Sequence, residues 1–173
     1  MNRMKKILLL LIASILVLIN NCGYKLSGYS SQFPSHIKTI VIPEFENKTT
    51  RVEASQFVTY AIKNEFIKRS KLTMVGSQTK ADAILEGTID GFTVVPIAFG
   101  KEGSANQYRL TIIVSVRVID LTTDKIIFEG KDIRFKGAYN IDDEEFFSQE
   151  TEELIEIAQQ FAESVVITIL EDF

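Results

Sequence analysis

The chain is short of the residues that most often carry chemistry. It has one cysteine and one histidine in 173 residues, and no lysine or arginine follows Lys136. A lone cysteine has no intrachain partner, which excludes a disulfide framework. His36, close to a strand start, reads as a surface or turn residue rather than a base. Glycines 87, 91, 100 and 103 match no phosphate-cradling motif ahead of a helix. The adjacent acids from Asp142 to Glu145 lack the ligand spacing of an EF-hand and read as a solvated helix start. No catalytic constellation emerges, so neither an enzyme nor a bound cofactor or metal is expected. Between Cys22 and Lys136 there are 16 basic and 12 acidic residues, whereas the stretch after Lys136 carries eleven acids and no base. The mild positive balance of the body is too weak for a nucleic-acid partner. It suits a ligand with anionic groups.

What the chain does have begins at its amino end. Arg3, Lys5 and Lys6 form a cationic head, and Ile7 to Ile19 follows without a charge. A positive head before a short apolar run is the pattern of a secretory signal. The run is shorter than the roughly 20 apolar residues needed to span a bilayer. It ends Ile19-Asn20-Asn21-Cys22-Gly23, which resembles a bacterial lipobox, although Asn21 replaces the usual small residue before the cysteine. The expected organisation is a signal peptide over 1–21, a lipidated tether over 22–36 and one folded domain over 37–173. Cys22 would carry the acyl chains, which hold a protein on a membrane at about 0.8 kcal/mol per buried CH₂. In lipoproteins of this kind Asp after the cysteine implies inner-membrane retention; Gly23 stands there, so the resemblance implies the outer membrane.

The body reads as alternating strands and helices. Ile37 to Ile42 is β-branched and ends at Pro43, giving a first strand. The stretch from Glu44 to Thr49 is turn-like, with Thr49 or Thr50 placed to cap a helix. From Arg51 to Arg69, Ala54, Phe57, Val58, Ala61, Ile62 and Phe66 recur at helical spacing. Leu72–Val75 is a short strand, and Ala83–Val95 a longer one closed by Pro96. Gly100–Asn106 is a flexible connection, and Tyr108–Ile119 the clearest strand. A turn over Asp120–Asp124 leads to a return strand from Lys125 to Lys136. There Ile126 and Phe128 share one parity, Ile133 and Phe135 the other, and a bulge near Gly130 would re-phase them. The tail is a helix starting near Asp142 or Ser148. The fold class is α+β: a single domain with two helices packed on one face of a four- to five-stranded, mostly antiparallel sheet. Two helices cannot cover both faces, so one face stays open to water or a partner.

That open face holds the candidate binding residues. Arg109 and Arg117 alternate with Thr111, Ser115, Ile113 and Ile119 on one strand, and Lys131, Arg134 and Lys136 lie on the next. Cations among apolar side chains can meet the phosphates of an amphiphile, arginine doing so through two parallel hydrogen bonds. Each of them serves equally well as a charge that keeps an exposed strand soluble.

Several stretches together resemble one family. Cys22-Gly23-Tyr24-Lys25-Leu26 is similar to the Cys-Gly-Tyr/Phe-x-Leu start of the lipopolysaccharide-assembly lipoprotein family, LptE. Ile40-Val41-Ile42-Pro43-x-Phe45-x-Asn47-x-Thr49 follows, then a helix with Glu65-Phe66. The likeness continues with Ala81-Asp82-Ala83-Ile84-Leu85-Glu86-Gly87-Thr88-Ile89 and ends with Ala162-Glu163-Ser164-Val165-Val166. The resemblance implies a small α/β sandwich that plugs the LptD β-barrel, helps it assemble, and helps pass lipopolysaccharide to the outer leaflet. Arg134 and Lys136, then Arg109, are the first candidates for lipopolysaccharide contact. Periplasmic lipoproteins that activate a peptidoglycan synthase or form curli-type secretion pores share the Pro-x-Phe-x-Asn and Ala-Asp-x-x-Leu-x-Gly pieces, and stand as the alternative. An envelope hydrolase would need a catalytic group that the chain does not offer.

Overall fold

A computed structural model describes residues 33–100, 103–141 and 146–171. The signal peptide, Cys22, most of the tether and the acids at 142–145 lie outside the described residues. Six strands form one sheet: β1 (Thr39–Val41), β2 (Glu46–Asn47), β3 (Thr73–Met74), β4 (Ala83–Phe99), β5 (Ala105–Asp120) and β6 (Lys125–Asn140). The helices are α1 (Ala54–Arg69) and α2 (Phe146–Glu171). The sheet order is β3-β1-β4-β5-β6, with β2 pairing separately along β4. The short pairs made by β1, β2 and β3 are parallel, and the long β4–β5 and β5–β6 ladders are antiparallel. The architecture is the expected α+β one, with slightly more strands than expected, because the turn-like stretch after Pro43 contains β2.

The alternation read from the sequence sets the two faces. Leu110, Ile112, Val114, Val116 and Val118 of β5 are buried, whereas Arg109 and Arg117 are exposed. Onto the buried face pack Ala54, Val58, Ala61, Ile62 and Phe66 of α1, and Leu154, Ile157, Ala158, Phe161, Val165 and Ile169 of α2. The ring of Phe161 meets that of Phe135 edge to face at 5.4 Å, a favoured aromatic geometry. Fully burying an aliphatic side chain is worth about 1.5–3 kcal/mol, so this shared layer is what joins helices to sheet. None of the helices among the described residues is long and apolar enough to cross a membrane.

Several local expectations are corrected. Pro96 does not close its strand; β4 runs on to Phe99. Beyond Ile89, β4 pairs only with β5, so a residue without an N–H is tolerated there. At the connection from Gly100 to Asn106, the Gly100 N–H donates to Ser104 O at 2.8 Å, and Gly103 takes φ +78°. Neither Thr49 nor Thr50 caps α1, which begins after Glu53 without a side-chain cap. Instead Asn47 Oδ1 accepts the N–H and hydroxyl of Thr49, at 2.9 and 2.7 Å. The re-phasing of β6 takes two irregularities. One extra residue sits at Ile127, and another falls between Gly130 and Ile133, where Asp132 takes φ 51°. Ile126 therefore faces outward and Phe128 inward, despite their even spacing. Phe33, assigned to the tether, is buried against the core.

Candidate functional site

The register across β4, β5 and β6 lays out the open face as rows. Val95, Arg109 and Ala138 form one row; Thr93, Thr111 and Lys136 the next; Gly91, Ile113 and Arg134 the third. Neighbouring strands lie about 4.8 Å apart, so Arg109, Lys136 and Arg134 form a single cationic cluster. No ion pair among the described residues involves any of the three. At the hairpin end beside them, Val95 is 41% and Phe99 64% exposed. This half of the face is cationic with an apolar margin.

The other half is different. Arg117 sits opposite Glu86 on one side and Glu129 on the other. Its Nη2 lies 2.6 Å and its Nε 2.8 Å from Glu86 Oε2. Lys131 Nζ is 3.1 Å from Glu129, and Lys48 Nζ 3.1 Å from Asp90. Ser115 Oγ donates to Asp90 Oδ2 at 2.6 Å and holds that carboxyl below its usual range, against the opposing effect of burial. These residues border a concavity of about 730 Å³, to which Glu44, Glu46 and Asp132 add further negative charge. The structure thus sorts the five sequence candidates. Arg109, Arg134 and Lys136 come together unpaired, while Arg117 and Lys131 stand apart in compensated pairs.

His36 behaves as a tie between distant segments. Its Nε2 lies 2.7 Å from Asp120 Oδ2, on a carboxylate only 2% exposed. Burial pushes the Asp120 carboxyl up, but the hydrogen bonds from Thr122, Thr123 and His36 outweigh it and hold it well below the usual range. Asp82 binds the start of β1 in the same way, taking the N–H groups of Lys38 and Thr39 at 2.8 and 2.9 Å. Both carboxylates thereby tie distant segments of the chain together.

Sequence reasoning missed Val95 and Phe99. Both lie in the run from Val94 to Phe99, whose exposure follows from β4 outrunning its parallel partners. The run itself was the available signal, since its Pro96 marks a strand open on one edge.

The described residues thus form a two-layer α+β domain with one uncovered, charge-sorted sheet face. Solved structures share the fold. Lipoprotein B of Nitrosomonas europaea superposes with a TM-score of 0.54 at 16% identity, covering 87% of this chain and 96% of that one. The PelC dodecamer of Paraburkholderia phytofirmans gives 0.51 at 12% identity, covering 79% and 92%. Protein CT253 of Chlamydia trachomatis gives 0.53 at 9% identity, covering 77% and 95%. No curated protein matches the chain. Residues 37–169 match the LptE model, described as lipopolysaccharide-assembly. The chain belongs to the LptE family of lipopolysaccharide-assembly lipoproteins.

Proposed function

We propose that this LptE-family chain is an outer-membrane lipoprotein, anchored on the periplasmic side through acylated Cys22. It seats in an LptD-type β-barrel, helps that barrel assemble, and assists passage of lipopolysaccharide to the outer leaflet without catalysing a reaction. The observation that carries the reading is the unpaired cluster of Arg109, Arg134 and Lys136 beside exposed Val95 and Phe99. Lipopolysaccharide presents phosphates next to acyl chains, and this half of the face presents cations next to apolar side chains. A charge-assisted hydrogen bond contributes about 1.5–3 kcal/mol, so reversing two such cations is expected to weaken binding by a factor of ten or more.

The test is to compare lipopolysaccharide binding of the protein and of its Arg134→Asp, Lys136→Asp double variant at several salt concentrations. Weaker binding by the folded variant, with a shallower salt dependence, supports the reading. Identical curves at every salt concentration remove these residues from it. Co-purification from detergent-solubilised envelopes tests the barrel separately, and recovery without any β-barrel partner counts against that half of the proposal.

A further inference from the structure

A sheet with ends must manage its edges, because unpaired strand backbone recruits other strands. Here β3 is an edge of two residues, too short to recruit one. The free edge of β4 beyond Ile89 carries Pro96 and register breaks between Pro96 and Phe99. The first half of β6 is interrupted at Ile127 and again before Ile133, with Lys131 and Asp132 exposed there. The second half has neither a proline nor a register break, although Arg134 and Lys136 are exposed on it. Ile133–Asn140 pairs with Gln107–Val114 without a break and, among the described residues, has no strand on its other side.

The hydrogen-bond phase of that edge is fixed. The Ile141 N–H donates to Asn106 O at 3.0 Å, so Gln107 and Asn140 form a non-hydrogen-bonded pair and the pattern alternates from there. The backbone groups of Arg134, Lys136, Ala138 and Asn140 therefore point away from β5. One element covers part of this row. Glu153 of α2 lays its carboxylate over Gly137, where a Cβ would overlap Oε1 and crowd Ile157. The Ala138 N–H acts on that same carboxylate. That carboxylate thus lies beside one of the outward-pointing amides that an added strand would use.

We propose that Ile133–Asn140 is a docking edge for an extended, acidic segment of a partner protein, with Glu153 as the placeholder that the segment displaces. The charge of the segment follows from the face it would share. Side chains of an added strand alternate between faces, and those on the open face fall beside Arg134 and Lys136. Acids there meet unpaired cations; bases meet repulsion. The inference goes beyond the amphiphile reading and shares two cations with it, so the segment and lipopolysaccharide compete.

The probe is a fluorescent peptide of about eight residues alternating glutamate with valine, titrated into the full chain. Binding is followed by anisotropy, and amide exchange is read at Arg134, Lys136 and Ala138. The expected result is slowed exchange at those amides. Binding tightens about threefold in Glu153→Ala, and weakens about tenfold when the peptide carries lysine in place of glutamate. A peptide N-methylated on alternate residues, which keeps the charge but loses the strand hydrogen bonds, is expected not to bind. Absence of binding overturns the proposal, as does equal binding of the N-methylated peptide. Slowed exchange that grows with protein concentration in the absence of peptide also overturns it, by assigning the edge to a second copy of this chain. Lipopolysaccharide binding measured on Glu153→Ala stays unchanged in every case, so failure here is separable from failure of the amphiphile reading.

Discussion

The ring of Phe45 lies in the space a side chain at Gly87 would fill: a Cβ built there would overlap Cε2, Cδ2 and Cζ of the phenyl group. Two stretches within the family-matched residues 37–169 therefore meet in one joint. Pro43-x-Phe45-x-Asn47 supplies the ring, and Ala81-Asp82-x-x-Leu85-x-Gly87 supplies the hollow on β4. The Phe45 N–H also donates to Thr59 Oγ1 at 2.9 Å, which fixes the same loop to α1. Forcing a methyl group into a packed joint costs about 1–3 kcal/mol. Gly87→Ala is therefore expected to lower the unfolding free energy by that amount, read as a lower urea midpoint at unchanged m. A Gly87→Ala protein as stable as the parent would mean that the ring moves freely and that the joint is loose.

A second prediction concerns acid. Asp120 accepts from Thr122 Oγ1 at 2.6 Å, Thr123 Oγ1 at 2.8 Å and the Thr122 N–H at 2.8 Å, besides His36. Its carboxyl is held low in the folded protein, against about 3.9 unfolded. The unfolded chain then binds the proton more readily. The stabilisation is present above about pH 4 and is lost as the pH falls further, towards the folded value. Asp120→Asn should lower Tm by several degrees at pH 7, and that deficit should shrink in acid. A deficit that stays constant from neutral pH down to about pH 3 would assign the effect to shape alone.

The faces of β5, the two helices and the turn over Asp120–Asp124 were legible because each has its own period or turn chemistry. Leu110 to Val118 alternates cleanly, and Ala54 to Phe66 repeats at three and four. What was not legible depends on pairing. Ile126 and Phe128 share a parity in the chain, yet the bulge at Ile127 sends them to opposite faces. β2 is two residues whose strand character comes only from the β4 backbone beside it. The site shows the same division. All five cations could be read as exposed, but the sorting of Arg117 and Lys131 from Arg109, Arg134 and Lys136 rests on where Glu86 and Glu129 fall across the ladder.

That sorting makes a third prediction. Arg117 spends its charge on Glu86 in a pair that is half exposed, and such pairs contribute about 0–1 kcal/mol. Arg117→Ala should change stability by less than about 1 kcal/mol and leave lipopolysaccharide binding and its salt slope unaltered. Arg109→Ala, which removes an unpaired cation of the cluster, should weaken binding and flatten the slope. Equal losses in the two variants would show that the ligand reads total charge rather than this cluster.

Glu153 titrates in the opposite sense to Asp120. Partial burial raises its carboxyl and the nearby Glu156 raises it further, while the Ala138 N–H only partly opposes them. A raised acid is better tolerated protonated. Its native carboxyl takes up a proton at a pH where the unfolded one, at about 4.3, is still charged. At neutral pH the charge therefore costs stability, and that cost disappears as the pH falls through the folded value towards the unfolded one. Glu153→Gln keeps the shape over Gly137 and an oxygen for the Ala138 N–H while removing the charge. Its Tm should exceed that of the parent at pH 7, and the two should converge near pH 4. Thermal melts followed by circular dichroism across this range decide the matter. A lower Tm for Glu153→Gln at neutral pH would mean that the charge on Glu153 holds α2 against β6, in which case a docking segment would have to break a stabilising contact rather than release a strained one.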